Sequence, residues 1–205
     1  NRNGFLYVFD RITGKLLLSS RMVDKLTWAS GINPQDGTPR LLPNNETTTE
    51  GVTTAPAVRG ATNWYSTAYN PATGLYYVMT VEDYTVYRKA DEGGFGSYSN
   101  PADPPRKLLR AFDVQTGKVA WQIDLHGPAQ TNYAGVLSTA GGLIFFGESS
   151  GGIAAADART GRLLWHFEAN HPIKASPMTY AIDGRQYVAI ATGGTILSFA
   201  LPEEH

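Results

Sequence analysis

Five residues, Gly147-Glu148-Ser149-Ser150-Gly151, have the G-x-S-x-G form in which hydrolases present a nucleophilic serine. That chemistry needs a sharp strand-to-helix turn, with a histidine base oriented by a carboxylate. Here Gly152-Ile153 follow and lead into another apolar, strand-like run, so a hairpin turn is the expected structure. The four histidines, His126, His166, His171 and His205, show neither H-x-x-x-H nor facial-triad spacing, which gives zinc or non-haem iron little support. Adjacent carboxylates at Glu82-Asp83, Asp91-Glu92 and Glu203-Glu204 read as solvated turns or tail, not as a glycosidase pair facing across a cleft. Gly-Gly steps starting at Gly93, Gly141, Gly151 and Gly193 lack the Lys-Ser/Thr ending of a phosphate loop and the spacing of a dinucleotide fingerprint. With no cysteine, the chain has no disulfide, no thiolate nucleophile, no cysteine zinc site and no covalently attached c-type haem. Asn45-Glu46-Thr47 is a formal glycosylation sequon, meaningful only in a secretory pathway that is not expected here.

The elements that carry these residues are announced by a repeat. Ala111-Phe112-Asp113-Val114-Gln115-Thr116-Gly117-Lys118-Val119-Ala120-Trp121 returns 44 residues later as Ala155-Ala156-Asp157-Ala158-Arg159-Thr160-Gly161-Arg162-Leu163-Leu164-Trp165. A period of about 40–50 residues with short strands, turn glycines and one tryptophan per unit is the pattern of a β-propeller blade. Weaker copies at Phe9-Asp10-Arg11-Ile12-Thr13-Gly14 and Tyr69-Asn70-Pro71-Ala72-Thr73-Gly74 keep the turn without the tryptophan. In each, Asp or Asn bonds the backbone ahead and Gly accepts a positive φ. Each indole is expected to bury its face between blades and to give its N–H to a fixed acceptor.

Short β-branched or aromatic runs bounded by Gly, Asn, Asp or Pro predict strands at 5–10, 64–69, 76–81, 108–113, 119–123, 142–147, 152–157, 163–167, 186–191 and 196–200. No long amphipathic helix is predicted. The expected architecture is all-β, a partial propeller over 1–205 of about four blades. Two stretches interrupt the rhythm, 33–57 and 91–105, and both have loop composition. A formal charge of −1 argues against a nucleic-acid partner, and no apolar run is long enough for a membrane span.

Four groups of segments, in order, resemble the pyrroloquinoline-quinone (PQQ)-dependent alcohol dehydrogenases. They are Asn1-Arg2-Asn3-Gly4-Phe5-Leu6-Tyr7-Val8-Phe9-Asp10-Arg11; Asn63-Trp64 with Ala68-Tyr69-Asn70-Pro71 and Thr73-Gly74-Leu75-Tyr76-Tyr77-Val78; Gly135 to Gly147; and Ser176-Pro177-Met178-Thr179-Tyr180 with Asp183 to Ala189. The resemblance is to the carboxy-terminal third of that family, whose eight-bladed propeller holds the quinone on its axis beside Ca²⁺ or a lanthanide. It implies a periplasmic enzyme oxidising small alcohols by hydride transfer to the quinone, with an external cytochrome as electron acceptor.

Carried over by motif, Arg2 is the cation of the quinone oxygens, and its permanent charge would stabilise negative charge on the reduced ring. Asn63 is a polar clamp on a quinone or carboxylate oxygen, Trp64 a pocket wall, and Gly135 part of a lining loop. Tyr133 stands where the family often has tryptophan, and the region of Ala55-Pro56 where it commonly has cysteine before proline. The family's metal-binding Glu and Asn, its catalytic Asp and its stacking residues fall upstream of Asn1, so no metal ligand is assigned here. An upstream portion is therefore expected, and the chain is expected to be inactive alone. With only a short tail after Pro202, no fused haem domain is expected. An open partial ring exposes apolar flanks and strand edges, so pairing with the missing portion or with a second copy is expected. The rival expectation is a non-catalytic propeller scaffold or binding module of the outer-membrane assembly lipoprotein type.

Overall fold

A computed structural model describes residues 1–43, 46–89, 95–99, 104–127 and 134–202, apart from the side chains of 95–99. All regular elements among them are strands. Phe5–Phe9 (β1) pairs antiparallel with Leu16–Arg21 (β2), and Ala29–Ile32 (β3) with Pro39–Leu41 (β4). Val52–Thr54 (β5) precedes Ala68–Asn70 (β6) and Leu75–Glu82 (β7). Thr85–Lys89 (β8) and Phe95–Ser99 (β9) join β5 in the order β5-β8-β9. Arg106–Asp113 (β10) and Val119–Asp124 (β11) complete a sheet ordered β11-β10-β7-β6. Val136–Ser138 (β12), Leu143–Gly147 (β13), Gly152–Asp157 (β14) and Leu163–Glu168 (β15) form a four-stranded meander. Met178–Ile182 (β16), Arg185–Thr192 (β17) and Thr195–Phe199 (β18) form a three-stranded one.

The chain divides into two compact units, 1–63 with 80–108 and 113–119, and 64–79 with 109–112 and 120–205. In the first, Phe5, Val23, Leu26, Ala29, Ile32 and Ala61 form the core. The Trp28 ring meets Phe5 edge-on at 5.9 Å, and its indole N–H donates to the Asn3 carbonyl at 2.8 Å. In the second, Tyr77, Ile144, Phe146, Ile153 and Ile173 are fully buried in one cluster. The β14 run Gly152-Ile153-Ala154-Ala155-Ala156 is buried on both faces, which explains its continuous apolar reading where an exposed strand would alternate.

Three turns share one chemistry. Asp10, Asp113 and Asp157 each accept, through Oδ1, the N–H groups two and three residues on and the hydroxyl of the following threonine, at 2.8–3.1 Å. These bonds favour the ionised form and hold all three carboxyls below the ordinary aspartate range. The turns join β1 to β2, β10 to β11, and β14 to β15, the outer pairs of their sheets.

The Asn70 turn has the same local bonds, Ala72 N–H to Asn70 Oδ1 at 2.9 Å and Gly74 N–H to the Asn70 carbonyl at 2.9 Å. It joins β6 to β7, however, at the other side of its sheet. Its spacing from Asp113 is therefore not the blade period, because this turn depends on five adjacent residues and suits any antiparallel connection.

Two further expectations change. The run 64–69 is strand only from Ala68, because just Ala68, Tyr69 and Asn70 pair with β7. The stretch 33–57 contains β4 and β5, while 91–105 contains β9, so the two excursions hold paired strands. Their Gly, Pro and Asn content hid runs of only three to five residues. Residues 91–94 and 100–103, together with Asn45, Tyr133 and His205, lie outside the described residues.

Glu82 ties the first unit together. Its buried carboxylate accepts the Asp24 N–H at 2.8 Å and the Lys25 N–H at 2.7 Å, one on each oxygen. Glu82→Gln turns one acceptor into a donor facing an N–H, and should lower stability by about 1–3 kcal/mol in urea unfolding.

Candidate functional site

Arg2 and Asn63 are 61 positions apart in sequence, and the first unit anchors both on one short segment, 57–63. The Arg2 guanidinium donates to the Val58 carbonyl. The Arg2 carbonyl accepts the Ala61 N–H at 3.1 Å, so the residue is held at main chain and side chain together. Asn63 donates through Nδ2 to the Arg59 carbonyl at 2.9 Å, folding its amide back onto the same segment. Gly60 closes the bend, donating its N–H to the Ala57 carbonyl at 2.7 Å with φ +81°. A Cβ there would stand 2.5–2.8 Å from the Arg2 stem and backbone, so only glycine lets the segment lie against Arg2.

The guanidinium is exposed and the Asn63 side chain half-buried. One guanidinium nitrogen is engaged by Val58, and a guanidinium has five donors in all, so Arg2 is a cationic, donor-rich group suited to a negatively polarised oxygen. Lys107, at the start of β10 in the same unit, is deeply buried, and burial pushes its ammonium down to about 7.

Trp64 lies 73% exposed, its ring meeting Tyr65 edge-on at 6.4 Å. Gly135 is set by close packing: a Cβ would come within 2.2 Å of Ser176 Oγ and 2.8 Å of Ser66 Cβ.

The G-x-S-x-G run is the β13–β14 hairpin, with Gly147 paired to Ile153 and the Glu148 N–H donated to the Gly152 carbonyl at 2.7 Å. Ser149 is buried in it, and its hydroxyl has no partner among the described residues. His166 Nε2 pairs instead with the Glu148 carboxylate at 3.4 Å. No nucleophile and base are assembled here. Among the described residues no group of three His, Cys, Asp or Glu side chains could hold a metal ion.

Segment 57–61 escaped the sequence reading. Its one signal is the Arg59-Gly60-Ala61 step, a glycine with no neighbouring turn former.

Residues 126–188 match the family model for the glucose/ethanol/alcohol dehydrogenase β-propeller domain. The quinoprotein alcohol dehydrogenase PedH of Pseudomonas putida is 37% identical over 94% of this chain and 34% of its own length. The quinohemoprotein alcohol dehydrogenase ADH IIB of Pseudomonas putida is 38% identical over 94% of the chain and 29% of its own. Among solved structures, quinohemoprotein alcohol dehydrogenase ADHIIG of Pseudomonas putida HK5 superposes with a TM-score of 0.84 at 30% identity, over 95% of this chain and 31% of that one. A europium-containing methanol dehydrogenase does so at 0.77 and 32%, over 92% and 35%. The chain spans about a third of the length of the curated relatives it matches.

Proposed function

Since this chain belongs to the quinoprotein alcohol dehydrogenase family, with the family's all-β propeller fold, we propose that it forms the carboxy-terminal part of a PQQ-dependent alcohol dehydrogenase. The proposed enzyme is periplasmic, oxidises small alcohols, and passes electrons to an external cytochrome. The observation that supports the assignment is the anchoring of Arg2 and Asn63 on one segment, 57–63, through the Val58 and Arg59 carbonyls.

These two residues fit the acceptor oxygens of PQQ. The group, when bound, supplies the quinone that takes up hydride from the alcohol. Arg2 would face the quinone oxygens, where its charge favours the electron-rich reduced form. Asn63 would orient an oxygen through its amide, and Trp64 would shield the ring plane from water. Gly135 keeps the 134–136 backbone close to Ser66 and Ser176, with the Val136 N–H on the Ser66 carbonyl at 3.0 Å, as a lining loop requires. Ca²⁺ or a lanthanide, and the proton-accepting carboxylate, are assigned to residues outside this chain.

Exposed apolar side chains support a covering partner. Ile12, Ile196 and Met178 are 85, 76 and 56% exposed, and we assign the remaining propeller portion, or a second copy, to cover such flanks.

Arg2→Ala in the complete enzyme should weaken PQQ binding about 10- to 100-fold by calorimetry, with Arg2→Lys recovering part of the loss. Unchanged affinity in Arg2→Ala would remove Arg2 from the site.

A further inference from the structure

We infer that Thr85 is a positioning residue for Arg2, because its hydroxyl holds the N–H of the residue whose carbonyl the guanidinium grips. The inference rests on the reading of Arg2 as the quinone's cation. Thr85 is 5% exposed at the head of β8, and its Oγ1 accepts the Val58 N–H at 3.1 Å. On the other side of Val58, the carbonyl accepts from Arg2. One residue is thus clamped from both ends, and tilting it would carry the guanidinium along.

The neighbouring bonds point the same way. Ala57 donates to the Asp83 carbonyl at 3.1 Å, and Val81 to the Ala61 carbonyl at 2.7 Å, so residues 81–85 serve as the bed on which 57–61 lies. Thr85 also pairs in register with Thr54 of β5. Its other neighbour is Ser99 of β9, so a strand from each of the two excursions flanks Thr85. An unanchored arginine must give up side-chain rotamer entropy each time a ligand is gripped. Holding Val58 at both ends lowers that cost in advance.

The test compares Thr85→Val, which keeps the shape and removes the acceptor, with Thr85→Ser, which keeps the acceptor. Amide exchange at Val58 and the Arg2 guanidinium resonances are read without ligand, and PQQ affinity is read by calorimetry in the complete enzyme. Thr85→Val is expected to speed Val58 exchange at least about tenfold, to average the Arg2 resonances, and to weaken PQQ about 3- to 10-fold. Thr85→Ser should restore all three. In the Arg2→Ala background, Thr85→Val should add no further loss of affinity. Should Thr85→Val fail to fold, Arg2→Ala alone must speed Val58 exchange, since coupling through Val58 is reciprocal.

Unaltered exchange and guanidinium signals in Thr85→Val, or unaltered Val58 exchange in Arg2→Ala if that is the readable variant, would overturn the inference. So would an equal affinity loss from Thr85→Val with and without Arg2. If Arg2→Ala leaves PQQ affinity untouched, the reading of Arg2 falls, and the exchange data still decide whether Thr85 holds it.

Discussion

Trp121→Ala is expected to lower stability by about 3–5 kcal/mol, the range for emptying a large aromatic site in a packed interior. The Trp121 ring lies on Gly161, where a Cβ would be 2.7 Å from its six-membered ring, and Gly161 has φ +73°. Its indole N–H donates to the Ala158 carbonyl at 3.1 Å, and the Tyr77 hydroxyl donates to the same oxygen at 2.9 Å. The Tyr77 and Trp121 rings stand 5.7 Å apart, so the truncation exposes a tyrosine that is fully buried. Trp165 fills the same place in the next repeat but is 37% exposed, touches Phe199 edge-on at 5.0 Å, and makes no indole hydrogen bond among the described residues. Trp165→Ala should therefore cost less, about 1–2 kcal/mol. Chemical denaturation of the two variants side by side checks the ordering, and equal losses would contradict it.

Gly60→Ala should cost about 2–5 kcal/mol and loosen Arg2 in the same stroke. An alanine at φ +81° carries a conformational penalty of about 1–2 kcal/mol. Its methyl would also overlap Arg2 Cβ at 2.5 Å and Arg2 Cα at 2.7 Å, and the second of these is backbone with no rotamer to escape into. Relief requires 57–61 to lift away, which breaks the Ala61 to Arg2 main-chain bond and draws Val58 from the guanidinium. Thermal unfolding reads the first effect and PQQ calorimetry the second. A stable variant with full affinity would show that the bend can be redrawn at no cost.

What could be read beforehand follows from how local each signal is. The Asp-x-x-Thr-Gly turns are self-contained in five residues, so Asp10, Asp113 and Asp157 disclosed β1–β2, β10–β11 and β14–β15 without any tertiary knowledge. The same locality misled at Asn70, whose turn says nothing about its place in a sheet. Strands β4, β5 and β9 were hidden because they are only three to five residues long, and β5 also acquires its order from a distant partner, Thr54 from Thr85.

The candidate site was legible only through the resemblance. Nothing in the spacing of Arg2 and Asn63 connects them, and the 57–61 bend that does so is built from main-chain bonds to Arg2, Val81 and Asp83, which leave no imprint on residue type. Trp64 and Gly135 were legible in the same limited sense. The packing that explains Gly135 involves Ser66 and Ser176, far from it along the chain.

The placement of the long connections has a consequence for redesign. Strand β10 begins where an excursion ends and finishes in a five-residue turn, and β1 likewise leads from Arg2 into the Asp10 turn. The longer connections thus precede these strands, while the turns at their far ends span only five residues each. Segments inserted or exchanged before such a strand would leave the aspartate turn and the tryptophan seat beside Gly161 as they are, so selectivity could change without rebuilding the sheet.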